Sequence, residues 1–187
     1  MLKKSFVEEL FKAFYIERWN DKIRQVELIE MDKHAHKMVI AWILAKYEEM
    51  EGRDVEWINI IRGGIFDLFF RIELSDIKSP LFREIKKNKK LFRDLSSWVY
   101  KELEPKIGSG RIKSELKEYF DNYHSFDTLN YDILNAAHIY SSYWEFRILK
   151  KADPFEYQIE KIEDEILSDI KSFRHLSGIQ RLLNEDT

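Results

Sequence analysis

Cysteine is absent from all 187 residues. That excludes a disulfide framework and every thiolate-held metal, so any metal ion bound here would fall to His, Asp and Glu. Proline and glycine are scarce, at three and six residues, and a chain with so few breakers is expected to run in long helices. No apolar run reaches the roughly 18 residues that a membrane-crossing helix needs. The N-terminal "MLKKSFVEELFKAFY" has lysines but neither an apolar centre nor a small-residue cleavage site. It reads as an amphipathic helix rather than a signal peptide, and a cytoplasmic protein is expected. An excess of one charge is also missing: 31 Lys and Arg stand against 34 Asp and Glu, a net charge of −3. Duplex nucleic acid requires a basic face, which this mixture does not offer.

What is present is a balance of 44% hydrophobic and 35% charged residues, which suits a soluble globular protein with a real core. Apolar residues recur at three- and four-residue spacing almost throughout, and alternation of period two is nearly absent. The expected fold class is therefore all-α, a compact multi-helix bundle. One helical domain is expected over 1–187, its core at about 5–150 and a helical extension at about 154–187. A first helix should run from Ser5, its N-cap, to Ile16. Asp32 is placed to cap a helix from Lys33 to Glu51, and Gly52 to end it. Asp54 should cap the next helix, "VEWINIIRGGIFDLFFRIEL". Gly63 and Gly64 inside it cost roughly 1 kcal/mol each relative to alanine, which close approach of another helix would offset. Further helices are expected at 80–87, at 91–103 before a break at Pro105, at 111–123, at 129–151, and at 155–173 with a short tail. "HSFDT" reads as a turn with Asp127 as a cap. Ala136, Ala137, Ser141 and Ser142 in the middle of the longest helix let a neighbour come close.

Three polar residues sit in apolar settings. Asp67 lies among Ile65, Phe66, Leu68, Phe69 and Phe70; His36 opens "HKMVIAWILA"; His138 lies in "NAAHIYSSYWEF". A buried carboxylate is costly unless something positive pairs with it, so either Asp67 lies on a polar edge or a cation meets it. Singly, each histidine reads as a hydrogen-bonded core or edge residue. Together, two imidazoles and one carboxylate make a ligand set for a divalent transition metal such as Zn, Mn, Co, Ni or Fe. Spacing alone does not assemble them.

The run of motifs resembles the HD-domain phosphohydrolase superfamily, and its 5'-deoxynucleotidase-like branch most. Arg18-Trp19 matches the Arg-Trp pair that follows the first helix there. His36, with Ala41 five residues on, matches the first metal-binding His, and Asp67 matches the Asp of the His-Asp pair. Asp76 in "LSDIKSP" resembles the acid of the following turn, and His138 falls where the last metal-binding Asp is found. The resemblance spans residues 5–150. It implies an all-α fold with a metal held by His36, Asp67 and His138. It also implies Asp76 or Glu73 as the group handling a proton, Arg18 as a clamp on phosphate, and Trp19 against a sugar or base. The implied activity is metal-dependent hydrolysis of a nucleotide or similar small phosphate ester, in a homodimer.

The departures are as informative as the matches. Phe66 replaces the namesake His and cannot bind a metal, and Phe70 replaces the catalytic Glu. Loss of a general acid or base typically costs about 10²- to 10⁴-fold in rate. Two readings therefore stand: a rebuilt metal-dependent phosphomonoesterase, or a catalytically inactive relative that binds a ligand or a protein. Elsewhere the bland readings prevail. The basic run "EIKKNKKLFR" reads as a solvated helix end. Tyr140, Tyr143, Trp144 and Phe146 read as core or a dimer surface, and His34, His124 and His175 have no assigned role.

Overall fold

Helical periodicity is realised along nearly the whole chain. The structure is a computed structural model that describes residues 3–75, 77, 79–122, 128–155 and 158–185. Nine α-helices and no β-strand are found among them: α1 Lys4–Phe11, α2 Glu30–Met50, α3 Trp57–Glu73, α4 Ser79–Lys87, α5 Lys89–Ile107, α6 Arg111–Asn122, α7 Thr128–Ala152, α8 Ile159–Lys171 and α9 Ser177–Glu185. The fold is all-α, as expected. None of these helices is long and apolar enough to cross a membrane. The chain divides into two compact units, Met1–Ile16 with Ile65–Phe126, and Glu17–Gly64 with Asp127–Thr187.

The first unit is organised by aromatic packing. Phe6 of α1 stacks on Phe69 at 4.6 Å between ring centroids. Phe70 lies 5.6 Å from Phe92 and 5.1 Å from Phe120, and Phe66 lies 4.9 Å from Tyr119. Helix α5 buries Phe92, Ser96, Val99, Tyr100, Leu103 and Ile107, an i, i+3, i+4, i+7 stripe. The expected break at Pro105 does not occur, since α5 continues to Ile107 and stops at Gly108, whose φ is 89°. Ile107 is buried, and that burial keeps the last turn in place despite the amide proton that proline lacks. The first helix also differs: α1 ends at Phe11 and tightens into a 3-10 turn at Lys12–Tyr15. Ser5 is not its cap, because the Ser5 hydroxyl donates to the Lys106 carbonyl at 3.0 Å. The basic run forms the α4–α5 junction, where Asn88 accepts from the Leu91 amide at 3.1 Å and caps α5.

The second unit is built on α2 against α7, with α8 and α9 completing its core. Small residues line both long helices: Ala41 and Ala45 on α2, and Ala136, Ala137 and Ser141 on α7, are buried. Helix α2 starts at Glu30, ahead of Asp32, because the chain enters it from an isolated bridge between Glu17 and Ile29. Glu30 and Asp32 then place negative charge in its first turn, where the helix dipole favours it. Gly52, with φ 78°, follows the last turn as expected. The region expected as an extension is part of this core, because Ile166, Ile170, Leu176 and Ile179 belong to its buried cluster. Glu48, fully buried, accepts from the Ser177 amide at 2.7 Å and the Ser177 hydroxyl at 2.9 Å. A carboxylate thus caps α9 at its positive end. The expected turn at "HSFDT" lies outside the described residues, apart from Thr128 at the start of α7.

Two glycines measure how close the helices come. A Cβ on Gly64 would collide with Sδ of Met38, and its Cε would stand at 2.8 Å. A Cβ on Gly178 would meet Leu44 Cδ2 at 2.7 Å, Tyr47 Cδ2 at 3.1 Å and the Leu44 backbone at 3.4 Å. Met38 is half-buried and its end can swing away, whereas Leu44 is fully buried. Gly64→Ala should therefore stay close to wild type, its helix-propensity gain of about 1 kcal/mol offsetting the repacking. Gly178→Ala should lose about 1–3 kcal/mol through overpacking. Urea unfolding of the two variants checks the order, and a Gly178→Ala protein as stable as Gly64→Ala would contradict the packing described here.

Candidate functional site

The inward face of α2 carries charge. Glu30, Lys33, Lys37, Ala41, Leu44, Ala45 and Glu48 are its buried residues, spaced by three and four as one helical face demands. His34 is half-buried and His36 is exposed. The reason is angular: at 3.6 residues per turn, a position five residues before Ala41 lies roughly 140° from it around the helix. If Ala41 faces the core, His36 faces away, and Lys33 and Lys37 share Ala41's side.

Lys33 of α2 meets His138. Its ammonium lies 3.1 Å from Nδ1 and 3.0 Å from Nε2 of the imidazole, and Lys33 is only 2% exposed. His138 stands on α7 just after Ala136 and Ala137, and its carbonyl accepts from the hydroxyls of Ser141 and Ser142 at 2.9 and 3.1 Å. An in-plane ammonium equidistant from both ring nitrogens would collide with Cε1, so Nζ lies out of the ring plane.

Arg18 and Trp19 are held by the same unit. The Arg18 guanidinium donates from Nη1 to Glu30 Oε2 at 2.7 Å, from Nη2 to Glu145 Oε2 at 2.9 Å, and from Nε to Glu145 Oε1 at 2.9 Å. The Trp19 indole N–H donates to Glu145 Oε2 at 2.9 Å. Burial alone would push the Arg18 guanidinium down, but Glu30 and Glu145 outweigh it and hold Arg18 above its ordinary value. Trp19 has a φ of 55°, a left-handed conformation that costs a bulky residue about 1–2 kcal/mol. The flanking bonds from the Arg18 amide to the Leu28 carbonyl at 2.8 Å, and from the Lys22 amide to the Trp19 carbonyl at 3.0 Å, keep it there. Trp19 also borders a narrow apolar cleft with Ile23, Phe146, Leu149, Ile159 and Ile162.

The remaining candidates lie in the first unit. Asp67 is half-buried, and its Oδ1 accepts from the Tyr119 hydroxyl. Phe66 and Phe70 are buried in the aromatic packing. Lys106 Nζ lies 2.9 Å from Glu73 Oε1 and 3.2 Å from Glu9 Oε2. Burial pushes the Glu73 carboxyl up; Lys106 opposes this and Glu9 adds to it, leaving Glu73 above the usual carboxylate range. Burial also pushes Glu9 up, but Lys12 and Lys106 outweigh it and hold Glu9 low. Asp76 lies outside the described residues.

Does this donor set fit a divalent ion? Among the described residues no three His, Asp or Glu side chains come together as they would around a metal. The cation that His138 does meet is an ammonium. A divalent ion about 4 Å from a lysine ammonium is repelled by roughly 8 kcal/mol at an effective dielectric of 20, twice the unit-charge value. Within the second unit, the surroundings of His138 therefore do not fit a divalent ion. Lys33, Glu30 and Glu145 were missed as site residues; for Lys33 and Glu30, three-and-four spacing to Ala41 and Leu44 was the available signal.

No protein-family model matches the chain, and no curated protein sequence is significantly similar to it. Among solved structures, eight chains match. One is the crystal structure of an HD-domain phosphohydrolase from Listeria innocua, with a TM-score of 0.74 and 19% sequence identity over 96% of this chain and 85% of that one. Likeness at this level establishes the fold, which is that of an HD-domain protein.

Two outcomes follow from the charge arrangement. Arg18→Met should cost about 3–5 kcal/mol in urea unfolding, because Glu30 and Glu145 would be left buried without their shared cation. A loss under about 1 kcal/mol, the level of a surface pair, would contradict this. The raised Glu73 carboxyl binds its proton more tightly folded than unfolded, so between the ordinary glutamate value and the raised one, stability falls as pH rises. Glu73→Gln should remove that decline. Unfolding midpoints followed upward from about pH 4, near the ordinary value, should show the variant gaining on wild type.

Proposed function

We propose that this protein uses the HD-domain fold without metal-dependent hydrolysis, as a binding module for a small phosphate ester such as a nucleotide. The single observation that carries this reading is the Lys33 ammonium seated against His138, 3.0 Å from Nε2. Two further observations support it. Phe66 and Phe70, at the positions that the resemblance gives to a metal ligand and a catalytic Glu, are buried core aromatics. Arg18, the implied phosphate clamp, has all three guanidinium nitrogens engaged by Glu30 and Glu145. The ligand class comes from Lys33 and Lys37, one turn apart on α2, and from the phosphate chemistry named for the Listeria innocua protein.

The competing reading is the phosphomonoesterase. What favours it is Asp67, a carboxylate kept in an otherwise apolar stretch and bonded by Tyr119. In that reading His36, Asp67 and His138 hold the metal, Asp76 or Glu73 handles the proton, and Arg18 and Trp19 hold the substrate. Phosphate release from a panel of nucleotides, with Zn, Mn, Co, Ni or Fe(II) added in turn, separates the two. The expected result is nucleotide binding by calorimetry without phosphate release. Metal-stimulated release that disappears in Asp67→Ala would overturn the binding-module reading.

A further inference from the structure

We infer that Lys33 is a built-in cation that takes the place of a metal ion at His138. This rests on the reading of His138 as the residue at the last metal-binding position, and deepens the binding-module proposal by naming what holds that position. Lys33 ranks among the largest fully buried side chains of the protein. A lysine so placed needs a reason, since its long flexible stem and charge favour water. Two reasons are visible.

The first is the imidazole. With Nζ at 3.1 and 3.0 Å from the two ring nitrogens, an ion coordinated in the ring plane by either nitrogen would stand about 4 Å from the ammonium and be repelled by it. The second is charge balance within the unit. Arg18 is shared by two carboxylates, Glu30 and Glu145, of which the side chains are 4% and 6% exposed. One positive and two negative groups leave a negative excess, and Lys33, one turn along α2 from Glu30, places positive charge on the same buried face, as does Lys37. These ammonium groups offset that excess without any ion. A divalent ion added there would increase the positive charge of the face.

The chemical consequence is definite. A tethered ammonium donates hydrogen bonds and positive field, but it is no Lewis acid and generates no metal hydroxide. Any ligand taken at this position would be an anion held by charge and hydrogen bonds, not by coordination, and the site would be insensitive to chelators.

The test is binding of Zn²⁺ alone, by calorimetry and by elemental analysis after desalting, to wild type, Lys33→His and Lys33→Gln, with melting temperatures recorded with and without EDTA. Wild type should retain far less than one equivalent and melt unchanged in EDTA. Lys33→His removes the ammonium and adds an imidazole, and should bind Zn²⁺ at least about tenfold more tightly than wild type, the scale of a single ligand-shell change. Lys33→Gln removes only the charge and should shift in the same direction, which keeps the test readable if the histidine variant does not fold. Stoichiometric Zn²⁺ on wild type, lost in His138→Ala, overturns the inference. So does a folded variant that binds Zn²⁺ no better than wild type. Metal retention without phosphate release would sink the role of Lys33 and leave the non-catalytic reading intact; phosphate release without metal would do the reverse.

Discussion

A helix with charged side chains on its buried face has to find polar or charged partners for them before it can pack, and the second unit is arranged around that constraint on α2. Glu30 meets Arg18, Glu48 meets the start of α9 and Arg53, and Lys33 meets His138. Each pairing ties α2 to a different part of the unit: the segment before it, the C-terminal helix, and α7. Coulomb attraction in the carboxylate–guanidinium pairs is offset largely by desolvation, so they add little net stability. What they impose is register. A helix that slid or turned would bury its charges without partners, at several kcal/mol each. The alanines on α2 and α7 permit the close approach, and the charges select one version of it.

The first unit solves the opposite problem with aromatics. Phe66, Phe69 and Phe70 fill the stretch in which a hydrolase of this fold, on the resemblance, would place its namesake His and its Glu. Phe66 packs on Tyr119, and Tyr119 in turn donates to Asp67. Phe66 and the hydroxyl donor to Asp67 thus belong to one small cluster. The stretch is packed with aromatics, and Asp67 within it accepts from a hydroxyl of α6. Glu9, Lys106 and Glu73 form a separate charged group in this unit; burial raises both carboxyls, but Glu9 has Lys12 as well as Lys106 to hold it low, whereas Glu73 has Lys106 alone and the repulsion of Glu9.

These arrangements show why some residues were legible in the sequence and others were not. His36 was selected because an alanine follows five residues later, a match in linear spacing. On a helix that spacing turns the two residues away from one another, and the structure leaves His36 exposed. Lys33 drew no notice because lysine is seldom buried and sits unremarked in "MDKHAHK". Arg18 and Trp19 stand out as a pair in the sequence, yet their partners, Glu30 and Glu145, lie 12 and 127 residues from Arg18. No local pattern connects positions so far apart.

By itself the sequence determined the class and most of the helices. Periodicity at three and four residues depends only on which side chains avoid water, and scarce glycine and proline leave long segments unbroken. Gly52 ended α2 because its conformation is a local property of the backbone. The tertiary structure decided everything that depends on which helix face turns inward and what it meets. It kept α5 running through Pro105, drew the expected C-terminal extension into the core, and set an ammonium rather than an exposed imidazole against His138. Burial and charge pairing are sums over distant residues, and they acquire a value only once the chain has closed on itself.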